Sequence, residues 1–289
     1  MRSLGLDLGG TNIKLVVLEA GHVAERREAP TRSEDGVEAV LERLVELGSA
    51  VGPVDSVGVA LPGLFDEDGV AELLPNLHGD WTGRRLREPL EDGLRQTVRL
   101  VNDGHAFALA EAKLGAGRGA ANVMCVVCGT GIGGGLVLGG SLHLGPGARA
   151  GEFGHHTVVE DGPLCECGNR GCLELYAGAR AIAAAAGAPS FDEALARARA
   201  GDDRAVEALR RAGELVGLAI ANVLIFLAPD RVVVGGGVMS AGDLLFEPLL
   251  LSVRRHARVA PLDRITVVPA EFTAGAGAVG AALFGAGGS

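Results

Sequence analysis

Lysine is nearly missing from this chain: only two of its 26 basic side chains, Lys14 and Lys113, are lysines. Basic charge is short overall, since 36 acidic residues leave a net charge of −10. That balance opposes a nucleic-acid-binding surface. It does not oppose a phosphate-bearing small molecule, whose binding depends on a few local donors. The arginine bias, with abundant Ala and Gly, reads as codon composition, but it makes Lys14 stand out inside a glycine motif. Long apolar runs are also lacking. The longest, around Val216 to Ala228, is broken by Asn222 and is too short to span a bilayer. No signal-peptide pattern precedes Leu4-Gly5-Leu6-Asp7, so a cytoplasmic location with no membrane attachment is expected, where thiols stay reduced. No low-complexity linker marks a domain boundary. The chain does have length and apolar content: 289 residues, 48% apolar, suffice for two lobes with sizeable cores.

Cysteine is scarce, yet three of the five cysteines fall within Cys165-Glu-Cys167-Gly-Asn-Arg-Gly-Cys172. With a histidine from Gly154-His155-His156, they supply the number and type of ligands that tetrahedral zinc takes. The intervening glycines let the backbone aim the thiols at one point. Buried free cysteines would instead sit in a core strand, and this segment is polar and loop-like. Spacing alone does not choose between His155 and His156. Four protein ligands leave no open position, so the metal would be structural. Cys125 and Cys128 lie on an apolar, β-branched run. Three residues apart on a strand they face opposite ways, which makes them core residues, not a second clasp.

The order of elements repeats. Leu4–Leu8, Ile13–Leu18 and Val23–Glu28 read as an antiparallel meander, followed by a helix over Asp35–Leu47 and a strand over Val54–Leu61. A polar, glycine-rich loop leads to a strand at Val98–Val101 and a helix from Asn102-Asp103 to Leu114. The second round has strands at Val123–Val127 and Leu136–Leu138 around a turn at Gly129–Gly135. Helices follow near Tyr176–Ala186, Phe191–Ala200 and Asp203–Leu227, then a strand Arg231–Val234 ending at Gly235-Gly236-Gly237. A helix Leu244–His256, a strand Ile265–Val268 and a helix from Ala274 complete the chain. This pattern predicts a duplicated α/β architecture of two lobes with mixed sheets and a cleft between them. The expected division is a smaller lobe over residues 1–115, rejoined by the helix 274–289, and a larger lobe over 116–273 holding the cysteine loop.

Two of the glycine turns suit phosphate. Asp7-Leu-Gly9-Gly10-Thr11-Asn-Ile-Lys14 places an acid at a strand end beside exposed backbone N–H groups, and Asp7 suits a water-bridged magnesium. Gly129-Thr130-Gly131 occupies the corresponding place in the second half, and Gly237 ends a third strand where a nucleotide base or ribose could approach. None is a Walker motif, and Gly129–Gly134 lies between strands, which disfavours a Rossmann site. Asn102-Asp103 opens a helix, where either residue could be a cap. The functional alternative makes Asp103 the base that takes a proton from an attacking hydroxyl, with Asn102 on a neighbouring hydroxyl. Glu152, His155 and Glu174 offer the acceptors and donor that a polyhydroxylated ligand requires.

Together these residues resemble the ROK family (repressor, open reading frame, kinase) of the sugar kinase, Hsp70 and actin superfamily, whose fold is the actin-like, ribonuclease H-like ATPase fold. The likeness runs through Asp7-x-Gly-Gly-Thr11, Pro62-Gly63, Asn76-Leu77, Asn102-Asp103, Gly129-Thr-Gly-Ile-Gly-Gly134, Glu152-x-Gly-His155 and Cys165-x-Cys-Gly-x-x-Gly-Cys172-x-Glu174. It implies Asp103 as catalytic base, and Gly63, Asn76, Asn102, Glu152, His155 and Glu174 around the sugar. It implies zinc on His155, Cys165, Cys167 and Cys172. ATP phosphates and magnesium would face Asp7, Gly9, Gly10, Thr11, Lys14, Thr130 and Gly131, with Gly237 near the adenosine. The family's glucokinases are the nearest likeness, so ATP-dependent phosphorylation of a hexose by a homodimer or homotetramer is expected. Fructose, mannose, glucosamine or N-acetylmannosamine are alternative acceptors, and polyphosphate an alternative donor. A sugar-responsive repressor is the rival from another class; it would need an N-terminal helix-turn-helix, and the first strand here begins by Leu4. Three positions depart from the family pattern: Gly104-His105 where Ala and Asn are common, Tyr176-Ala-Gly-Ala179 in place of Tyr-Ala-Ser-Gly, and Leu64 where some N-acetylmannosamine kinases carry Arg.

Overall fold

Alternation along the first strand sets the first sheet. In β1 (Arg2–Leu8), Leu4, Leu6 and Leu8 share one face and are buried. β1 pairs antiparallel with β2 (Asn12–Glu19), and β2 with β3 (His22–Pro30). Helix α1 (Val37–Ser49) lays Val40 and Leu44 onto the leucine face, and its bare Gly48 admits Leu4 and Leu6. β4 (Ser56–Leu61) extends the sheet in parallel. The hairpin β5 (Leu64–Phe65) and β6 (Ala71–Leu73) and helix α2 (Arg87–Leu94) come next, in a stretch whose polar, glycine-rich sequence predicts a loop. These elements are too short to display a period; two buried residues, Leu86 and Leu90, hold α2 in place. β7 (Val98–Asn102) completes the order β3-β2-β1-β4-β7, and α3 (Asp103–Leu114) follows directly. On the other face of β1, a Cβ on Gly5 would lie 1.9 Å from the carbonyl oxygen of Ala278. One on Gly58 would lie 1.9 Å from that of Ala281. The missing side chains let the C-terminal helix rest its backbone on the sheet.

The plan repeats in β8 (Val123–Cys128), β9 (Ile132–Leu138) and β10 (Ser141–His143). Short α4 (Glu174–Ala177) and α5 (Ala179–Ala186) precede α6 (Phe191–Arg199), the long α7 (Asp203–Leu227), β11 (Arg231–Gly235), α8 (Asp243–His256), β12 (Thr266–Pro269) and α9 (Ala276–Gly285). The second sheet runs β10-β9-β8-β11-β12, with β8, β11 and β12 parallel. Glycines again permit close packing: Gly213 and Gly217 of α7 meet the backbone carbonyls of Leu245 and Leu249 in α8. The structure, a computed structural model, describes residues 1–288. Among them no helix is long and apolar enough to cross a membrane.

Three details differ from the sequence reading. β9 starts at Ile132, so Gly133–Gly135 lie in a strand and not in a turn. Gly135 is small because α3 packs there; a Cβ would stand 2.6 Å from that of Ala108. The helix expected over Tyr176–Ala186 breaks at Gly178, whose φ and ψ of −71° and 155° are extended. The chain forms two compact units: Met1–Arg118 with Gly135–Gly151 and the segment from Ala274, and Gly119–Gly134 with Glu152–Thr273. Segment 135–151 falls in the first unit although β10 and the end of β9 are paired in the second sheet. Lys113 in α3 donates to the carbonyl of Gly140 at 2.6 Å, one of the contacts that keep it there.

Candidate active site and metal cluster

In the first unit the Asn102-Asp103 pair divides its labour. Asn102 is the N-cap of α3: its Oδ1 accepts from the N–H groups of Gly104 (2.8 Å) and His105 (3.2 Å). Its Nδ2 donates to the carbonyl of Gly63 at 3.0 Å. One amide hydrogen of Asn102 remains to meet a ligand. Asp103, the first helical residue, is exposed, with Oδ1 2.8 Å from the N–H of Gly104. Since the cap is supplied by its neighbour, helix termination does not account for Asp103. Gly63 has a φ of 82°, and a Cβ there would lie 2.1 Å from the carbonyl of Leu73. The first glycine turn reaches the same neighbourhood, because Gly10 packs against Asn76, itself left-handed at φ 62°. Thr31 braces that turn by donating its hydroxyl to the Gly9 carbonyl at 2.6 Å. Gly63, Asn76, Asn102 and the Gly9–Thr11 turn are thus linked within one unit.

Asp7 lies opposite Lys14 in the β1–β2 register and against the start of α9. A Cβ on Gly277 would be 2.5 Å from Asp7 Oδ2. Nothing in the sequence marks Gly277, one small residue among many in an Ala/Gly-rich helix. Loss of water among these neighbours, opposed by Lys14, raises the Asp7 carboxyl to about 6. A raised carboxylate destabilises the fold once ionised. Below about pH 4 both folded and unfolded chains are protonated and nothing is lost. Stability falls as pH rises from there to about 6, and at higher pH the penalty is a constant 2–3 kcal/mol or so. Asp7→Asn is therefore expected to melt higher than the parent above pH 6 in the absence of divalent metal, with the difference vanishing near pH 4. Equal melting curves for the two proteins across this range would contradict that reading of Asp7.

In the second unit, Glu174 opens α4, and its Oε2 accepts from the N–H of Ile132 at 2.9 Å. A Cβ on Gly131 would come within 2.1 Å of the same oxygen. The glycine turn Gly129–Gly131 is thus shaped around a carboxylate of the cysteine loop. Ala179 N–H donates to the carbonyl of Gly129 at 2.9 Å, which closes the turn from α5. Gly236, at φ 93°, packs on the Cys128 backbone, whereas Gly237 is exposed with no atom within 4 Å of a hypothetical Cβ. Nothing in the protein requires a glycine at 237, which leaves room for a ligand beside it. Burial raises the Cys128 thiol to about 12, consistent with an inert core cysteine.

His155, Cys165, Cys167 and Cys172 converge, their ligand atoms all within 4.8 Å of one another. Cys165 Sγ is 3.7 Å from His155 Nδ1, and Cys167 Sγ is 3.6 Å from Cys172 Sγ. Metal–ligand bonds of about 2.0–2.3 Å in a tetrahedron imply edges of roughly 3.5–3.8 Å, so the spacing fits zinc. His156 stands apart, edge-on to Phe153 with ring centroids 6.2 Å apart. Burial, then the neighbouring Cys167 and Cys165, raise the Cys172 thiol to about 12; thiols this close need a cation before all can ionise. The loop folds over its glycines: Gly168 has φ 92°, and Gly171, at φ 65°, leaves no space for a Cβ beside the Val159 carbonyl.

The ROK family signature matches residues 3–286. A glucokinase of Thermotoga maritima is 34% identical over 98% of this chain and 96% of its own length. The ROK hexokinase of Thermus thermophilus superposes with a TM-score of 0.89 at 35% identity, covering 99% of this chain and 98% of that one. The ROK glucokinase of Streptomyces griseus, solved with glucose and AMPPNP, gives 0.85 at 30% identity over 100% of both. The fold and the site together define a two-lobed sugar-kinase-type α/β protein with a histidine–cysteine metal cluster. This chain belongs to the ROK family.

Proposed function

We propose that this protein phosphorylates a hexose with ATP, glucose being the preferred acceptor and the 6-hydroxyl the nucleophile. The observation that carries the proposal is Asp103: an exposed carboxylate at the start of α3 whose capping duty Asn102 has taken over, in a chain that matches glucokinases end to end. Asp103 takes the proton of the 6-hydroxyl as that oxygen attacks the γ-phosphate. Gly63, Asn76, Asn102, Glu152, His155 and Glu174 are the sugar-binding residues of this reading. Because Nδ1 of His155 is turned to the cysteines, its Nε2 is left as the N–H donor to a hydroxyl. Zinc on His155, Cys165, Cys167 and Cys172 is structural.

The phosphates meet Gly9, Gly10, Thr11, Lys14, Thr130 and Gly131, and the adenosine lies by Gly237. Asp7 would hold magnesium, which when bound would neutralise charge on the phosphates. Divalent charge beside Asp7 also offsets the cost of ionising it. Division into an N-terminal lobe rejoined by the C-terminal helix and a larger lobe with the zinc loop belongs to this reading, as do a cytoplasmic location and the absence of a nucleic-acid partner. Assembly as a homodimer or homotetramer is supported by apolar side chains left on the surface, among them Phe226, 91% exposed.

The test is a panel of glucose, mannose, fructose, glucosamine and N-acetylmannosamine, each with ATP and with polyphosphate. The expected result is ATP-dependent turnover with kcat/KM for glucose at least about tenfold above the others. Absence of any sugar-dependent consumption of ATP would overturn the proposal.

A further inference from the structure

His105 is 1% exposed, and its Nε2 lies 2.5 Å from the carbonyl oxygen of Ala150. A carbonyl only accepts, so Nε2 carries the hydrogen and Nδ1 a lone pair. Nδ1 is buried and has no partner. Packing alone would be better served by leucine, which buries no unpartnered nitrogen. The bond to Ala150 is therefore the feature of this side chain that needs a purpose.

Ala150 ends a segment with little stiffness of its own. Gly145, Gly147, Ala148 and Gly151 all have positive φ, and one short 3₁₀ turn, Pro146–Ala148, is the regular structure there. Arg149 pairs with Glu72, but both are about half exposed, so that pair restrains weakly. His105, in contrast, projects from a buried helix and meets its half-buried partner through a part-buried bond. Its backbone is fixed as well, since its N–H donates to the cap Asn102. Two residues after Ala150 comes Glu152, where the turn Glu152–His155 begins. Two residues before His105, turned toward solvent, is Asp103.

We infer that His105 is a positioning residue: through the Ala150 carbonyl it anchors to α3 the point from which the Glu152–His155 turn departs, and so tunes hexose affinity. Loss of water, against the raising effect of the Ala150 bond and with help from His143, holds the imidazole below its ordinary range. The tether is therefore neutral. The effect on affinity rests on the kinase reading; the anchoring does not.

Two variants and two readouts separate these. His105→Leu keeps the bulk and removes the donor, whereas His105→Gln can place an amide N–H near the position of Nε2. In the Leu variant, amide hydrogen exchange over residues 144–156 is expected to quicken about tenfold in ligand-free protein. Its glucose KM should rise about tenfold while kcat and the KM for ATP stay within about twofold. His105→Gln should recover most of both. Should the Leu variant fail to fold, His105→Asn, too short to reach Ala150, replaces it. Unchanged exchange in the donor-less variant would overturn the anchoring. Faster exchange with unchanged glucose KM would overturn the role in affinity, and a Gln variant no better than Leu would overturn the hydrogen bond as cause. A parent protein with no sugar turnover would instead break the kinase reading and leave the exchange result standing.

Discussion

Asp103→Asn is expected to bind glucose nearly as the parent does and to turn over about 10²–10⁴ times more slowly. The substitution keeps size and hydrogen-bonding capacity but removes the group that accepts a proton. Helix α3 should survive it, because the cap is Asn102, which supplies acceptors to Gly104 and His105. Calorimetry of glucose binding and steady-state kinetics on the same preparation separate the two effects. The diagnostic pattern is a fall in kcat with little change in sugar dissociation constant. A variant with near-parent kcat would remove Asp103 from the mechanism, and one that no longer binds glucose would make it a binding residue.

The second large effect concerns metal. Removal of zinc by a strong chelator, or Cys167→Ser, should lower glucose affinity about 10–100-fold or more, while most helical signal persists. Cys167 is the informative choice because it is exposed, whereas Cys165 and Cys172 are buried and their loss would also disturb packing. The reason for so large an effect is His155. Its Nδ1 faces Cys165, and Glu174 stands two residues beyond Cys172, so the cluster sets both the proposed sugar donor and the carboxylate that shapes the Gly129–Gly131 turn. Elemental analysis should return about one zinc per chain in the parent, as four ligands for one tetrahedral ion require. A metal-free protein with the parent's glucose KM would refute the bracing role.

Local features were the legible ones. The meander β1–β3 shows in the alternation of Leu4, Leu6 and Leu8, because burial on one sheet face imposes a two-residue period. The cysteine spacing is legible for a similar reason: a metal clasp closes within a few residues. Contacts between distant segments were not. Asp7 meets Gly277, and Glu174 meets the N–H of Ile132, through backbone or a missing side chain, which leave only a glycine in the sequence. A glycine does not declare whether it serves a turn or close packing; Gly135 was read as the first and is the second. Helix α2 has one buried leucine, Leu90, which is too little to display a period. The attachment of segment 135–151 to α3, through Ala108, Lys113 and His105, is tertiary and has no local signature. The choice between His155 and His156, open on spacing alone, follows from where the loop places each ring.

The most direct test of the account is ³¹P NMR of glucose incubated with ATP, magnesium and the purified protein. One new phosphate monoester, that of glucose 6-phosphate, is expected to form as ATP becomes ADP, with no ester when 6-deoxyglucose replaces glucose. Phosphate appearing on another hydroxyl, or released only as the free ion, would contradict it.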